Sequence, residues 1–351
     1  MRRPEVGSLP ARVLVDLPNW LGDLVHALPA LVSLRRGNHG GETWALGPSG
    51  HAPLVRLLGV EVIERPARVG FRFGRRLRGR FDVVVTARHS TRAKLLLAGI
   101  GAPLRLASRG RGAAALGLAT FGVVRSRHQR HDLDGALLAL AVPAPGDDRF
   151  LLPLPADLVA LGARHRWLLG DGSPVVAMLP ATRGGNGKQY PLERYEAVAR
   201  ELVRAGAAVV VIVGPGEEAL AAQLAASSGA RVAPTAWPLG ETAALLAACN
   251  AAVGNDSGLT HLAAVVGCPT VALFGPTEPA RTAPVGPAVI VRALALAGAG
   301  GPRSLDSVSP AEVVGAVEEL LVRFGERTPA AAVRLAQPAD TGGCSSDRPR
   351  R

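Results

Sequence analysis

Cysteine, aromatic residues and long apolar runs are scarce in this 351-residue chain, and each shortage excludes a class of protein. The three cysteines form no CxxC pair, so we expect no disulfide framework and no zinc site. The sequence contains neither GxGxxG nor HExxH, and we expect no cofactor. No apolar run reaches the roughly 18 residues of a membrane span. Aromatic residues make up only 4%, which leaves few platforms for stacking sugars or bases. The sequence therefore predicts a cytoplasmic globular protein whose membrane contact is peripheral.

The basic charge is concentrated in one half of the chain. Lysine and arginine number 40 against 28 acidic residues, a net charge of +12. Residues 1–150 contain 23 basic and 11 acidic side chains, whereas residues 151–351 contain 17 of each. Between Arg65 and Arg130 there are 16 basic residues and one acid, Asp82. Such an excess indicates an anionic partner: nucleic acid, a membrane surface or a charged substrate.

Short apolar runs alternate with helical patterns along the whole chain. The predicted strands are 12–17, 81–86, 175–179, 208–213, 251–254 and 270–274. The predicted helices are 24–36, 92–100, 192–205, 217–227, 242–249, 258–266 and 310–324. This alternation predicts parallel sheets covered by helices on both faces. A stretch rich in proline near residues 145–172 indicates a boundary between two domains, and the small, polar tail after residue 328 is typical of disorder.

The first segment that carries chemistry is Asp16–His26, with the sequence DLPNWLGDLVH. A strand ends, Pro18 and Gly22 impose a loop, and Asp23 opens a helix. This is the crevice at the carboxyl edge of an open α/β sheet, where ligands bind. Asp23 is therefore a candidate catalytic residue, although a helix cap is an equally ordinary role for an acid at this position.

The second segment is Leu179–Pro191, LPATRGGNGKQYP, in which a strand runs into a loop rich in glycine. Such loops offer backbone N–H groups to phosphate oxygens. Thr182 adds a hydroxyl group, and Lys188 adds a point charge; the chain has only one other lysine, Lys94. Gln189 follows the lysine, so the loop is not a P-loop. The alternative interpretation is a solvated surface loop.

The third segment is Gly254–Pro279, GNDSGLTHLAAVVGCPTVALFGPTEP. A strand delivers Asp256, Ser257 and Gly258 to the start of a helix, whose free N–H groups and dipole suit a pyrophosphate. His261 follows one turn later on the side that faces a ligand, although a lone histidine is more often structural. Glu217 likewise follows a strand and either binds ribose hydroxyls or simply favours the first turn of its helix.

Together these segments resemble glycosyltransferase family 9, the bacterial ADP-heptose:lipopolysaccharide heptosyltransferases. The resemblance runs in order over residues 12–325 and includes PNWLGDLVHALPALVSLRR, ATRGGNGKQYP and GNDSGLTHLAAVVGCPTVALFGPTEPARTAPVG. The PNWLGD and NDSG forms are most similar to the heptosyltransferase II branch. The family implies an α/β GT-B fold, with two Rossmann-like domains facing each other across a cleft. These would be residues 1–160 for the acceptor and 172–327 for the nucleotide sugar, followed by a disordered tail, 328–351.

The resemblance also implies an activity and a role for particular residues. The reaction is an inverting, metal-independent transfer of heptose from ADP-heptose to the lipopolysaccharide inner core. Asp23 corresponds to the general base of the family. The positions that match its donor-binding residues are Thr182, Lys188, Glu217, Asp256, Ser257, Gly258 and His261. Trp237 or its neighbour would flank the adenine.

With this resemblance, the basic half of the chain suggests a specific partner. Lipid A with its inner core is polyanionic and lies at the cytoplasmic face of the inner membrane, where we expect peripheral contact. The candidate acceptor and membrane contacts are Arg72, Arg75, Arg76, Arg78, Arg80, Arg88 and Arg92. Any one of them is also explained as a solvated arginine that a GC-rich genome has placed where lysine is common.

Three other functions remain open at the level of the sequence. A GT-B transferase with another nucleotide sugar or acceptor would share the phosphate-binding features. A nucleic-acid-binding protein would explain the arginine cluster, but no nucleic-acid motif is present, so we expect no such partner. A sugar-nucleotide-binding subunit without activity would keep the same motifs, none of which is visibly broken.

Overall fold

The computed structural model describes residues 9, 11–146, 150–169, 172–182, 187–286, 292–293 and 305–324. The predicted disordered tail, 328–351, lies outside these ranges. The described chain forms two six-stranded sheets, one in each half, and every strand pairs in parallel with its neighbours. The predicted α/β class with two doubly wound sheets is confirmed.

The first sheet has the order β3-β2-β1-β4-β5-β6. Its strands are β1 Arg12–Asp16, β2 Glu42–Gly47, β3 Glu61–Glu64, β4 Val83–Thr86, β5 Leu104–Ser108 and β6 Ala119–Phe121. The helices of this half are α1 Leu21–Gly37, α2 Ala52–Arg56, α3 Phe71–Arg75, α4 Thr91–Ile100 and α5 Asp134–Ala139, with 3₁₀ turns at Ser49–His51, Ala114–Leu116 and Gln129–His131. The chain order reverses beside β1, so a crevice is expected at its carboxyl end.

The second sheet repeats this topology with the order β12-β11-β10-β7-β8-β9. Its strands are β7 Val175–Leu179, β8 Ala208–Val211, β9 Arg231–Val232, β10 Ala251–Asn255, β11 Thr270–Leu273 and β12 Arg292–Ala293. The helices are α6 Ala156–Leu169, α7 Leu192–Arg204, α8 Glu218–Ser228, α9 Leu239–Ala248, α10 Gly258–Val265, α11 Pro279–Thr282 and α12 Pro310–Phe324, with a 3₁₀ turn at Leu305–Ser307. Here β7 and β10 flank the reversal point.

All six predicted strands and all seven predicted helices are present, with ends that differ by a few residues. Each strand that the sequence pattern missed contains a charged residue or has only three residues, as in β3, whose sequence is EVIE. These strands are defined by pairing with their neighbours in the sheet, which a local hydropathy pattern does not reveal.

Helix α6 crosses the predicted domain boundary. It packs against α9 so closely that a Cβ atom at Gly162 would collide with the Ala244 carbonyl group. The predicted first domain, which ends at residue 160, would therefore include one turn of a helix whose packing is with the second half. The polar and proline-containing sequence before α6 concealed this helix.

The two halves share one apolar cluster. Helix α1 packs against α10, and Leu24 and Leu28 of α1 are buried in the same cluster as Leu262 and Ala263 of α10. This contact brings the amino-terminal end of α1 to the amino-terminal end of α10. Among the helices of the described ranges, none has the combined length and apolar character that crossing a membrane requires.

Candidate functional site

A cavity of about 970 Å³ lies between the two sheets. Its walls are formed by residues that follow β1, β7, β8 and β10, the carboxyl ends at which polar loops of both halves converge. All eight residues that the sequence predicted for catalysis and donor binding line it: Asp23, Thr182, Lys188, Glu217, Asp256, Ser257, Gly258 and His261. The fold thus brings together side chains that lie up to 238 positions apart in sequence, from Asp23 to His261.

Asp23 lies in the first turn of α1, and Trp20 rather than Asp23 occupies the cap position. The side chain of Asp23 accepts a hydrogen bond from Gln129 Nε2 at 2.7 Å instead of bonding its own backbone. Its location on the cavity wall leaves this carboxylate available to a ligand. The alternative role of Asp23 as a helix cap is therefore wrong.

The amino-terminal ends of α1 and α10 touch through two glycines. A Cβ atom at Gly258 would lie 2.6 Å from the Leu21 Cβ atom, and one at Gly22 would lie 3.0 Å from His261 Cδ2. Any larger side chain at Gly258 would force the helices apart, because the first contact is with a Cβ atom that cannot rotate away. Both helix dipoles therefore present their positive ends beside the cavity.

Asp256 is the centre of the polar wall in the second half. Its Oδ2 atom lies 3.0 Å from Lys188 Nζ, and its Oδ1 atom lies 3.2 Å from His261 Nε2. Burial alone would raise the pKa of Asp256, but the hydrogen bonds and charges of His261 and Lys188 outweigh it and hold the pKa well below its usual value. Asp256 is therefore ionised throughout the physiological range, and it orients two side chains that face the cavity.

Asn255 holds the Lys188 loop in place. Its Oδ1 atom accepts a hydrogen bond from the Tyr190 N–H group at 3.0 Å, and its Nδ2 atom donates to the Pro180 carbonyl oxygen at 2.6 Å. Because both partners flank the glycine-rich loop, a single buried amide at the end of β10 fixes where that loop starts and finishes. This role explains the asparagine of the NDSG sequence.

Three histidines form a cluster beside Asp23. The His26 ring contacts the His261 ring at 4.6 Å and the His128 ring at 5.0 Å between centroids. Burial lowers the pKa of His26 well below its usual value, and the positive charge that its two histidine neighbours would carry lowers it further. His26 is therefore neutral. Sequence analysis predicted only His261; His26 and His128 carry no local signal, since they meet only in the fold.

Glu217 and Trp237 lie on the other side of the cavity. Glu217 occupies the cap position of α8, and its Oε2 atom accepts a hydrogen bond from the Gly214 N–H group at 2.8 Å. The Trp237 ring stacks on the His165 ring at 4.2 Å between centroids. Glu217 therefore adds a carboxylate, and Trp237 adds a flat aromatic ring, to the wall of the cavity.

A second cavity of about 200 Å³ adjoins the first and shares Asp23, Gln129 and Trp20 with it. Arg88 lines it but is only 9% exposed, and its Nε atom donates to Asp16 Oδ2 at 2.8 Å. Arg65 contacts the other oxygen of the same carboxylate at 3.2 Å. The alternative interpretation of Arg88 as a solvated arginine is therefore wrong, because Asp16 draws it into the fold.

The other six predicted acceptor arginines are exposed, on α3, on the turn that follows it and at the start of α4. They are Arg72, Arg75, Arg76, Arg78, Arg80 and Arg92. None of them lines either of the two cavities. Within the described ranges, no three histidine, cysteine, aspartate or glutamate side chains lie together as a metal site would require.

The likeness to curated proteins covers about a third of the chain in some cases and most of it in others. Lipopolysaccharide heptosyltransferase 2 of Escherichia coli K12 is 33% identical over 127 residues, which cover 34% of this chain and 36% of that protein. The chain thus matches about a third of the length of this relative. Lipooligosaccharide heptosyltransferase 2 of Haemophilus ducreyi is 26% identical over 351 residues, covering 88% of this chain and 99% of that protein. The expected likeness to the heptosyltransferase II branch is confirmed.

Solved structures show the same architecture. The E. coli ADP-heptose lps heptosyltransferase II structure superposes with a TM-score of 0.74 at 23% identity, covering 89% of this chain and 99% of that one. A glycosyl transferase family 9 structure from Veillonella parvula gives a TM-score of 0.75 at 20% identity, covering 91% and 99%. At these identities the likeness concerns the fold, and the expected GT-B fold is confirmed.

The family model for glycosyltransferase family 9 (heptosyltransferase) matches residues 70–298. That range is more than half of the chain, and it includes the Lys188 loop, Glu217 and the NDSG segment. Together with the site geometry and the fold, it establishes that the chain belongs to glycosyltransferase family 9.

Proposed function

We propose that this protein transfers a heptose from ADP-heptose to the anionic lipid A–core acceptor of lipopolysaccharide, with inversion at the anomeric carbon. The observation that carries the proposal is the single cavity into which the first half places Asp23 and the second half places Lys188, Asp256 and His261. A group-transfer site needs both a base for the acceptor and a positive environment for the leaving group. The names of the relatives support heptose as the sugar.

In this proposal Asp23 is the general base. An acceptor hydroxyl oxygen attacks the anomeric carbon from the face opposite the diphosphate, and the Asp23 carboxylate accepts the hydroxyl proton. The new carbon–oxygen bond forms as the bond to the diphosphate breaks, so ADP leaves with the electron pair and the configuration inverts. The location of Asp23 at the junction of the two cavities supports this role, because the acceptor and the donor can reach it from different sides.

The leaving diphosphate is stabilised by the second half. Lys188 supplies a full positive charge, and the free N–H groups at the start of α10, beside Ser257 and Gly258, point their dipoles into the cavity. Asp256 and His261 hold this arrangement before the donor binds, and Thr182 adds a hydroxyl group. These charges take the role that a metal ion has in other transferases, so the scheme requires none.

The nucleoside occupies the end of the cavity that contains Glu217 and Trp237. When ribose hydroxyls bind, the Glu217 carboxylate accepts from them, while its bond to the Gly214 N–H group keeps it in place. The Trp237 ring, which stacks on His165, supplies an apolar surface for the adenine. Residues 172–327 form the donor domain in this proposal.

The acceptor binds to the first half, within residues 1–160. Within the described chain, Arg88 Nη2 has no hydrogen-bond partner although it is buried, and Arg88 lines the second cavity next to Asp23. An anionic group of the acceptor would satisfy it. The six exposed arginines around α3 lie farther out and contact the polyanionic lipid A region and the cytoplasmic face of the inner membrane.

The test is incubation of the purified protein with ADP-heptose and lipid A–core acceptors, followed by mass spectrometry of the acceptor. We expect one added heptose, in the presence or absence of EDTA, and product formation about 10²- to 10⁴-fold slower with the Asp23→Asn variant. Product formation from another nucleotide sugar but not from ADP-heptose would favour the GT-B alternative. Binding of ADP without turnover of any donor would favour an inactive sugar-nucleotide-binding subunit, and salt-sensitive binding of nucleic acid would favour the third alternative.

A further inference from the structure

Gln129 lies between Asp23 and a group of contacts that cross from one half of the chain to the other. It starts the 3₁₀ turn Gln129–His131, lines both cavities and donates from Nε2 to Asp23 Oδ1 at 2.7 Å. A neutral amide adds no net charge beside the carboxylate, but it fixes one of the two oxygens. The other oxygen, Oδ2, is then the one directed toward an incoming proton.

The residues on both sides of Gln129 form hydrogen bonds with α11 and the residue that follows it. Before it, His128 Nε2 lies 2.9 Å from the Ala283 carbonyl oxygen. After it, Asp132 Oδ2 accepts from Arg281 Nη2 at 2.6 Å. Arg281 also donates from Nη1 to the Arg127 carbonyl oxygen at 2.7 Å. We call these three contacts the latch.

The electrostatic environment stabilises the Arg281–Asp132 contact of the latch. Burial alone would raise the pKa of Asp132, but its bonds to His89 and Arg281 outweigh this and lower the pKa below its usual value, so the Arg281–Asp132 pair stays charged. Both side chains are largely shielded from solvent, with 21% and 14% exposed, and a charged hydrogen bond is stronger there than at an open surface.

We propose that Gln129 is a positioning residue for Asp23, and that the latch couples this position to the donor half of the molecule. The inference rests on the proposed role of Asp23 as the base. Thr282, next to Arg281, lines the donor cavity, so the segment that holds the latch also borders the donor. The base is therefore aligned when the two halves have the arrangement in which donor and acceptor meet.

The expected loss of kcat follows from the sensitivity of group transfer to geometry, since a displacement of about 1 Å at a reacting group can cost on the order of 10²-fold in rate. Gln129→Met keeps the length of the side chain but removes the donor. We expect kcat to fall roughly 10- to 100-fold, with the KM for ADP-heptose unchanged. The Tm of the variant should stay close to that of the original protein.

Gln129→Glu keeps the shape and places a second carboxylate beside Asp23. Two carboxylates at hydrogen-bond distance share a proton, and their titrations couple. We expect the acid limb of the kcat profile to move to higher pH, because the added carboxylate disfavours the ionised form of its neighbour. This shift would show that the side chain at position 129 lies against the group that sets the acid limb.

A double-mutant cycle tests the latch. Arg281→Ala should lower kcat in the original background but have little further effect in the Gln129→Met background, because both changes release the same carboxylate. Arg204→Ala is the matched control, since it removes an exposed ion pair with Glu201 on α7, remote from the site. We expect it to leave kcat unchanged in both backgrounds.

The outcomes separate this inference from the proposed function. If the kcat of Asp23→Asn collapses while Gln129→Met keeps the original kcat, the positioning role is wrong and the base assignment stands. If the losses in the cycle are additive, the proposed coupling through the latch is wrong, whereas the positioning role of Gln129 stands. Full turnover by Asp23→Asn would overturn the base assignment, and this inference with it.

Discussion

The two halves of the molecule have the same sheet topology and opposite electrostatic designs. In the second half, whose net charge is zero, the site groups are bonded to one another, with Lys188 and His261 both on Asp256. In the first half, with its net charge of +12, Asp23 has one neutral partner, Gln129, and most of the arginines lie on the surface. One fold thus supports a preorganised anion site and a broad attractive surface.

Burial of charge shows the same contrast. Asp256 is bonded on both oxygens by groups that face the cavity. Asp16, in the first half, is shared by two buried guanidinium groups, those of Arg65 and Arg88. A buried excess of positive charge is costly unless something compensates it. In the proposed scheme the donor side is therefore complete before its ligand binds, whereas the acceptor side has a positive group that a ligand would satisfy.

The largest expected effect is on Asp23, the proposed base, which belongs to the first half. Asp23→Asn keeps the shape but cannot accept the proton, so kcat should fall about 10²- to 10⁴-fold. The Kd for ADP, measured by calorimetry, should stay within twofold because the donor groups belong to the other half. Equal losses in kcat and in ADP affinity would contradict the division of roles.

The next effect is on donor binding. Lys188→Met removes the positive charge at Asp256 and should weaken ADP binding roughly 10- to 100-fold, the usual range for a lost bond to a charged group. The acceptor KM at saturating donor should not change. Calorimetry with ADP measures the affinity for ADP, and steady-state kinetics measure the acceptor KM. An unchanged ADP affinity would show that Lys188 serves only to hold Asp256.

A smaller effect is expected from the exposed arginines. Changing Arg72, Arg75 and Arg76 together to glutamate reverses part of the attractive field, so the acceptor KM should rise about tenfold and lose much of its salt dependence. ADP affinity should be unaffected. The control is the same reversal of three exposed arginines in the second half, Arg164, Arg200 and Arg323. Equal effects of the two triple variants would indicate a response to net charge alone.

The smallest effect concerns stability in mild acid. Burial lowers the pKa of His51 from 6.5 to about 4, so the unfolded chain binds the proton first as the pH falls below 6.5. The stability of the folded state is thus fully present above pH 6.5 and decreases toward pH 4. His51→Gln should reduce this slope by at most about 1.4 kcal/mol per pH unit. Chemical denaturation between pH 7 and pH 4 measures it, and an unchanged slope would contradict the burial of His51 in solution.

The site residues that could be predicted from the sequence are those that the local order of strand, turn and helix places at the end of a strand. Asp23, Lys188 and Asp256 lie in segments that follow strands, and parallel strands present their carboxyl ends at one edge. Their convergence on one cavity follows from the fold class.

Contacts between distant segments could not be predicted in this way. Gln129 reaches Asp23 across 106 positions, and Arg88 reaches Asp16 across 72. No periodicity connects these segments, and an arginine beside other arginines has the pattern of a solvated face. The sequence alone therefore leaves the solvated alternative open for Arg88, and the position of the Asp16 carboxylate excludes it.

The contact between Gly22 and Gly258 has a mechanical consequence. In the proposed transfer the donor and the acceptor are held on separate halves, and their reacting atoms must approach to about 3–3.5 Å. A methyl group at Gly258 would meet Leu21 Cβ at 2.6 Å, so a side chain at this position would push the two helix ends apart. The absence of a side chain at this contact therefore limits how far apart the two halves, and with them the donor and the acceptor, lie.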